Sequence, residues 1–171
     1  MKKVLIVAFQ GVEEGVLRHL EKKIADIMGY RVVVGNRGLA VPSCRKRGDQ
    51  LLAEDLFPTL SEELMKTDAD LVLGVIDHDL YTEDLNFVFG LAYLNFCVIS
   101  LFRLASEKKD ILYLRALKEG VHELGHVSGL GHCPDPLCVM HFSNTLADTD
   151  MKGENFCRRC LDKLRRYDFS Y

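Results

Sequence analysis

The residues with the clearest capacity for chemistry are eleven in a row: His122-Glu123-Leu124-Gly125-His126-Val127-Ser128-Gly129-Leu130-Gly131-His132. On a helix of about 3.6 residues per turn, His122 and His126 stand one turn apart on one face, so their imidazoles can converge on a single ion. Gly129, and again Gly131, can take positive φ, which lets the helix stop and the chain turn back to bring His132 to the same point. Three neutral imidazoles leave zinc its full double positive charge and an open fourth position, the arrangement that polarises a carbonyl and lowers the pKa of water from 15.7 to roughly 7. Glu123 lies about 100° round the helix from His122, where its carboxylate can reach that water without being needed as a ligand. It is placed to be the general base.

A second constellation follows at once. Cys133, Cys138, Cys157 and Cys160 form two pairs, C-x4-C and C-x2-C. Four thiolates fill every position on zinc and leave the complex net negative, a poor Lewis acid suited to holding structure. His132 and Cys133 are adjacent, so the second site would brace the last ligand of the first. The remaining cysteines, Cys44 and Cys97, read as reduced thiols. Without an export signal, six cysteines do not read as a disulfide framework.

The pattern H-E-x-x-H-x-x-G-x-x-H with a downstream methionine resembles the metzincin zinc peptidases, and H-C-x4-C-x-M followed by C-x2-C resembles the archaemetzincins among them. The resemblance implies that Met140 is the Met-turn residue, its thioether an apolar floor beneath the imidazoles rather than a ligand. It also implies peptide-bond hydrolysis, with an extended substrate pairing along an edge strand over Phe87 to Ala92. Where some metzincins carry a tyrosine ligand two residues after that methionine, this chain has Phe142, so no fifth ligand is expected. The specific motifs cover about the last third of the chain. The upstream part resembles the family more loosely, through FVFGLA and its order of strands and helices.

The elements that must position these residues can be read from periodicity. Val4 to Ala8 is a β-rich apolar run suited to a central parallel strand. Val16, Leu20, Ile24 and Ile27 give a helical stripe over 12–28, ended by Gly29, and His19 lies off it as a solvated histidine. Tyr30 to Gly35 reads as a strand, Asn36 to Asp49 as a surface loop, and Gln50 to Lys66 as weakly helical, broken near Pro58 with Ser61 capping anew. Leu71 to Ile76 is a third core strand. Asp77-His78-Asp79 follows it, but three consecutive residues do not converge on one ion. Asn86 to Ala92 and Phe96 to Leu104 suggest a hairpin that brings in one antiparallel strand. Ser106 is a candidate cap for a helix over 107–128 with Leu114, Leu117, Val121 and Leu124 as its core stripe. His141 reads as structural or solvated, Ser143 to Asp150 as a loop, and Cys157 to Tyr167 as a last helix whose arginines and lysine form a solvated basic face, some of them able to offset thiolate charge.

At 171 residues and 48% hydrophobic, the chain can bury one sizeable core. A net charge of −3 and a pI near 6.1 offer no basic field for nucleic acid or anionic membrane. Val4 to Phe9 is too short for a signal-peptide core, and no run approaches 18 apolar residues, so a cytoplasmic monomer without membrane or nucleic-acid partners is expected. The expected architecture is an α/β domain over 1–171: a mixed, mostly parallel five-stranded sheet with one antiparallel edge strand and an active-site helix in 1–128, then a zinc-bound segment in 129–171. The expected reaction is hydrolysis of a peptide bond through two zinc ions, one catalytic and one structural. A zinc hydrolase of a non-peptide amide, or a latent or non-catalytic zinc-stabilised binding protein, remains open at this stage.

Overall fold

A computed structural model describes residues 1–168; the last three residues of the expected 1–171 span lie outside the described residues. β1 (Lys3–Ala8) is the apolar run at the centre, and α1 (Glu14–Met28) follows it. Gly29 ends α1 at φ 69°, its N–H returning to the Ala25 carbonyl at 2.9 Å, a left-handed stop that favours glycine. β2 (Arg31–Val34), β3 (Lys46–Arg47) and β4 (Gln50–Leu52) come next. A 3-10 turn over Ala53–Leu56 then runs into α2 (Phe57–Met65). Strands β5 (Leu71–Ile76), β6 (Leu80–Thr82), β7 (Leu85–Val88), β8 (Gly90–Tyr93) and β9 (Phe96–Ser100) precede α3 (Lys109–Val127), α4 (Leu146–Met151) and α5 (Arg158–Asp168).

The main sheet has the order β2-β1-β5-β9-β8. All its pairings are parallel except β8 on β9, so the expected five strands with one antiparallel edge are present. Alternate residues feed two cores. Val4, Ile6, Leu73 and Val75 point to the face covered by α1 and α3, whereas Leu5, Val7, Val72 and Ile76 point to the face covered by α2 and a smaller sheet. Each such aliphatic side chain taken from water contributes about 1.5–3 kcal/mol, so these two layers hold the frame against which α3 is fixed.

The smaller sheet, β3-β4-β6-β7, is a correction to the sequence reading. It takes the end of the expected loop and the start of the expected helix at 50–66. Pro58 does not break α2 but occupies its first turn, where its missing N–H costs nothing, and Ser61 lies inside that helix rather than capping a new one. The expected strand over Asn86 to Ala92 is divided. β7 belongs to the small sheet and β8 to the main one, with Phe89 at the joint, and β9 ends at Ser100 with a 3-10 turn following.

Smaller differences have local causes. Ser106 accepts a bond from the Lys108 N–H, but α3 starts at Lys109 with no side-chain cap. Leu114 is 39% exposed, and the buried stripe of α3 is Ala116, Leu117, Val121 and Leu124. His19 is half-buried against the Tyr113 ring rather than solvated. The expected Ser143 to Asp150 loop contains α4, nucleated by a capping box in which Thr145 and Asp148 satisfy each other's backbone N–H groups.

Candidate active site and second metal centre

α3 presents His122, Glu123 and His126, all within its last two turns. The helix stops in a Schellman closure: Leu130 N–H returns to the Gly125 carbonyl at 2.9 Å and Gly129 N–H to His126 at 3.0 Å, with Gly129 at φ 101°. Only Gly129 of the two expected glycines takes positive φ. This reversal delivers His132, and the three imidazole donor atoms lie within 4.8 Å of one another.

The hydrogen bonds fix which nitrogen is free. His122 Nδ1 lies 2.8 Å from the Val139 carbonyl and His126 Nδ1 lies 2.9 Å from that of Leu130. A carbonyl only accepts, so both rings carry their proton on Nδ1 and turn bare Nε2 lone pairs inward. Those two Nε2 atoms are 3.0 Å apart. Two lone pairs facing each other at that distance need a cation between them, and tetrahedral ligands at about 2.1 Å from zinc stand about 3.4 Å apart. The donor set therefore fits zinc. Burial holds the imidazoles neutral: it brings the pKa of His122 down to about 2, helped by the Lys152 charge, and lowers those of His126 and His132. Glu123 is pushed the other way, to about 8, first by burial and then by the nearby Glu119 carboxylate.

Met140 is fully buried, and its thioether packs on α3 at Gly125, between the two helical histidines in sequence. The neighbouring backbone is locked from several directions. The Val139 carbonyl orients His122, the Cys133 N–H donates to the Met140 carbonyl at 2.9 Å, and His141 Nδ1 sits 2.8 Å from the Cys133 carbonyl. His141 is thus structural, as expected. Phe142 lies tilted against His132 with ring centroids 5.1 Å apart and offers no ligand atom.

Cys133, Cys138, Cys157 and Cys160 also converge, their sulfurs within 4.8 Å of one another. Cys133 and Cys157 are 3.8 Å apart, too far for a disulfide and equal to the separation of about 3.8 Å for tetrahedral sulfurs at about 2.3 Å from zinc. Burial raises the Cys133 thiol, but a backbone bond at Asp135 and the Arg159 guanidinium outweigh it and bring the pKa to about 7. Burial and neighbouring thiols push Cys160 well up. Four thiolates this close repel one another unless a cation neutralises them, so this set fits a metal too. Arg159 reaches Cys133 Sγ at 3.6 Å, while the basic residues around it stay mostly exposed.

A cleft of about 550 Å³ opens above the histidines, walled on one side by residues 85–92 and on the other by α3, His132 and Phe142–Asn144. Phe89 O accepts from Ser100 N at 2.8 Å, and the register pairs Gly90 with Ile99 and Ala92 with Cys97. In an antiparallel ladder bonded and non-bonded pairs alternate, so Gly90 and Ala92 turn their N–H and C=O groups away from β9, towards the open edge of β8.

Two features were not anticipated from the sequence. Glu119, one turn before Glu123, lines the cleft, which its i, i+4 spacing could have suggested. Lys152 is wholly buried, pairing with Glu119 at 3.2 Å and donating to the His141 carbonyl at 3.2 Å, while Thr149 donates to Glu119 at 3.0 Å. A lone lysine next to α4 reads as surface. The Asp77-His78-Asp79 run holds no metal-like cluster; Asp79 pairs with Arg103 at 2.7 Å instead.

Residues 11–166 match peptidase family M54. The archaemetzincin of Pyrococcus horikoshii is 47% identical over 126 residues, 69% of this chain and 67% of that protein. The archaemetzincin of Methanopyrus kandleri is 40% identical over 170 residues, 96% of each. In structure, the chain is similar to the crystal structure of that Methanopyrus kandleri archaemetzincin, with TM-score 0.87, 39% identity and coverage of 97% of this chain and 94% of that one. It is also similar to a zinc-dependent peptidase from Methanocorpusculum labreanum, with TM-score 0.87, 27% identity and coverage of 94% and 99%. The converging histidines beside a glutamate, the four-cysteine cluster and these matches together place the chain in peptidase family M54, among the archaemetzincin zinc metallopeptidases.

Proposed function

We propose that the chain, as one peptidase domain over 1–171 with the sheet and helices of 1–128 and the metal-braced segment of 129–171, hydrolyses a peptide bond in an extended substrate lying along β8. The observation that carries this is the pair of bare imidazole nitrogens aimed at one point beside the buried Glu123 carboxylate. His122, His126 and His132 would hold the catalytic zinc, and Cys133, Cys138, Cys157 and Cys160 the structural one. A zinc ion in the histidine site supplies Lewis-acid polarisation of a carbonyl and makes water nucleophilic near neutral pH. Glu123 takes a proton from the attacking water and passes it to the departing amine. Met140 keeps the floor of the site apolar and dry. The free N–H and C=O groups of Gly90 and Ala92 support the strand-pairing role first assigned to Phe87 to Ala92, confined now to the β8 part of that run.

A peptide mixture digested with the zinc-loaded chain and with Glu123→Ala, read by mass spectrometry, tests this. Cleavage by the parent alone is expected, with zinc content equal in both. Equal cleavage by both proteins would remove Glu123 from the chemistry. Cleavage by neither would sink the peptidase reading.

A further inference from the structure

Gly90 sits where the cleft wall meets the active-site helix. A Cβ built there would lie 2.8 Å from Glu123 Cγ, 2.9 Å from Glu123 Oε1 and 2.8 Å from the Val98 carbonyl oxygen. Real Cβ atoms essentially never show such contacts. Gly90 has no left-handed φ, so the turn chemistry that usually explains a glycine does not apply here. What its missing side chain provides is space, and the occupant of that space is the Glu123 side chain.

The same residue has a second property. Gly90 is in a non-bonded pair with Ile99, so its N–H and C=O face the open edge of β8 where a substrate strand would pair. Ala92 shares that orientation, and it is at Gly90 that the Cβ position lies against Glu123. We infer that Gly90 is a positioning residue: it lets the Glu123 carboxylate lie against the substrate-binding strand at the residue whose own backbone sets the substrate's register. The base and the peptide group it serves are aligned by one residue rather than by two separate elements. This rests on the reading of Glu123 as general base and of β8 as the substrate edge.

An alanine at this position forces one of its neighbours to yield. The Val98 carbonyl belongs to β9, held between β5 and β8, so that contact is relieved by a shift of residue 90 itself. The Glu123 side chain ends in rotatable bonds and swings aside. Its displacement by about 1 Å is of the size that costs roughly 100-fold in turnover when a catalytic group leaves its productive geometry. The N–H and C=O of residue 90 remain available to a substrate strand after a small shift.

The test compares the zinc-loaded full chain with Gly90→Ala, Glu123→Ala and the double variant, measuring zinc content, melting temperature and, on a peptide cut in the digestion above, kcat and KM. The expected result for Gly90→Ala is unchanged zinc and kcat lower by roughly 100-fold, with any change in KM much smaller than that. Gly90→Ala should lower the melting temperature more in the parent chain than in the Glu123→Ala background, because two of the three close contacts are absent from the latter. Equal melting losses in both backgrounds would mean that the crowding comes from Val98 alone, and would overturn the inference. So would an unchanged kcat, or a loss confined to KM, which would make Gly90 a substrate contact only. Should Gly90→Ala fail to fold, recovery of the fold in the double variant supports the inference and its failure there overturns it. Full turnover by Glu123→Ala sinks the base reading instead, and the melting comparison still reports on the contact.

Discussion

Beneath the imidazoles, a Cβ on Gly125 would collide with the Met140 sulfur and stand 3.4 Å from the Phe156 ring. Two effects oppose each other if alanine is put there. Helix propensity favours alanine over glycine by about 1 kcal/mol, while overpacking a filled core costs about 1–3 kcal/mol. Met140 is fully buried, with nowhere to swing, so crowding wins. Gly125→Ala is expected to lose up to about 2 kcal/mol in denaturant unfolding and to alter the visible spectrum of the cobalt-substituted histidine site; a gain in stability would show that Met140 is loosely held. The convergence of His122, His126 and His132 beside Glu123 was readable from the sequence because helix periodicity and one glycine stop relate them within eleven residues. Gly90 and Lys152 were not, since each matters through contacts with α3 from about 30 residues away in sequence, and nothing local in the chain marks them.

α4 has only six residues and stays in place through polar contacts with α3. Arg115 grips Asp150 with two bonds of 2.8 and 2.9 Å, Lys118 donates to the Thr149 and Asp150 carbonyls, and Glu119 takes both Thr149 and Lys152. The Arg115 guanidinium holds the Asp150 carboxyl below its ordinary value of 3.8. A depressed carboxyl adds stability above its unfolded pKa and loses it as pH falls through the lower folded one. The Asp150 side chain is 46% exposed, so solvent screening limits the pair to about 0.5–1 kcal/mol. Asp150→Asn should therefore cost about that much in unfolding free energy at neutral pH and nothing well below the carboxylate range. A pH-independent difference would mean that the two bonds act without charge. Elements with long apolar runs, such as β1 and β5, were legible. The two exposed residues of β3 and the three of β4 carry no periodicity; β3 pairs locally with β4, and β4 is placed by β6, a partner about 30 residues downstream.

Across the whole molecule, the two cores of the main sheet support residues 1–127, whereas 128–168 add few long apolar side chains and lean on the cysteine cluster. Cys157→Ser is expected to lower the zinc content by one per chain and unfolding free energy by more than about 2 kcal/mol, as loss of a structural metal does. Unchanged metal content and melting temperature would argue against a four-cysteine site. No helix among the described residues is long and apolar enough to cross a membrane. The adjacency of His132 and Cys133 carries a thermodynamic obligation as well. By whatever factor a filled cysteine site tightens the histidine site, a filled histidine site tightens the cysteine site equally. With zinc in both sites, removing either ion would weaken the hold on the other by that same factor, whichever left first.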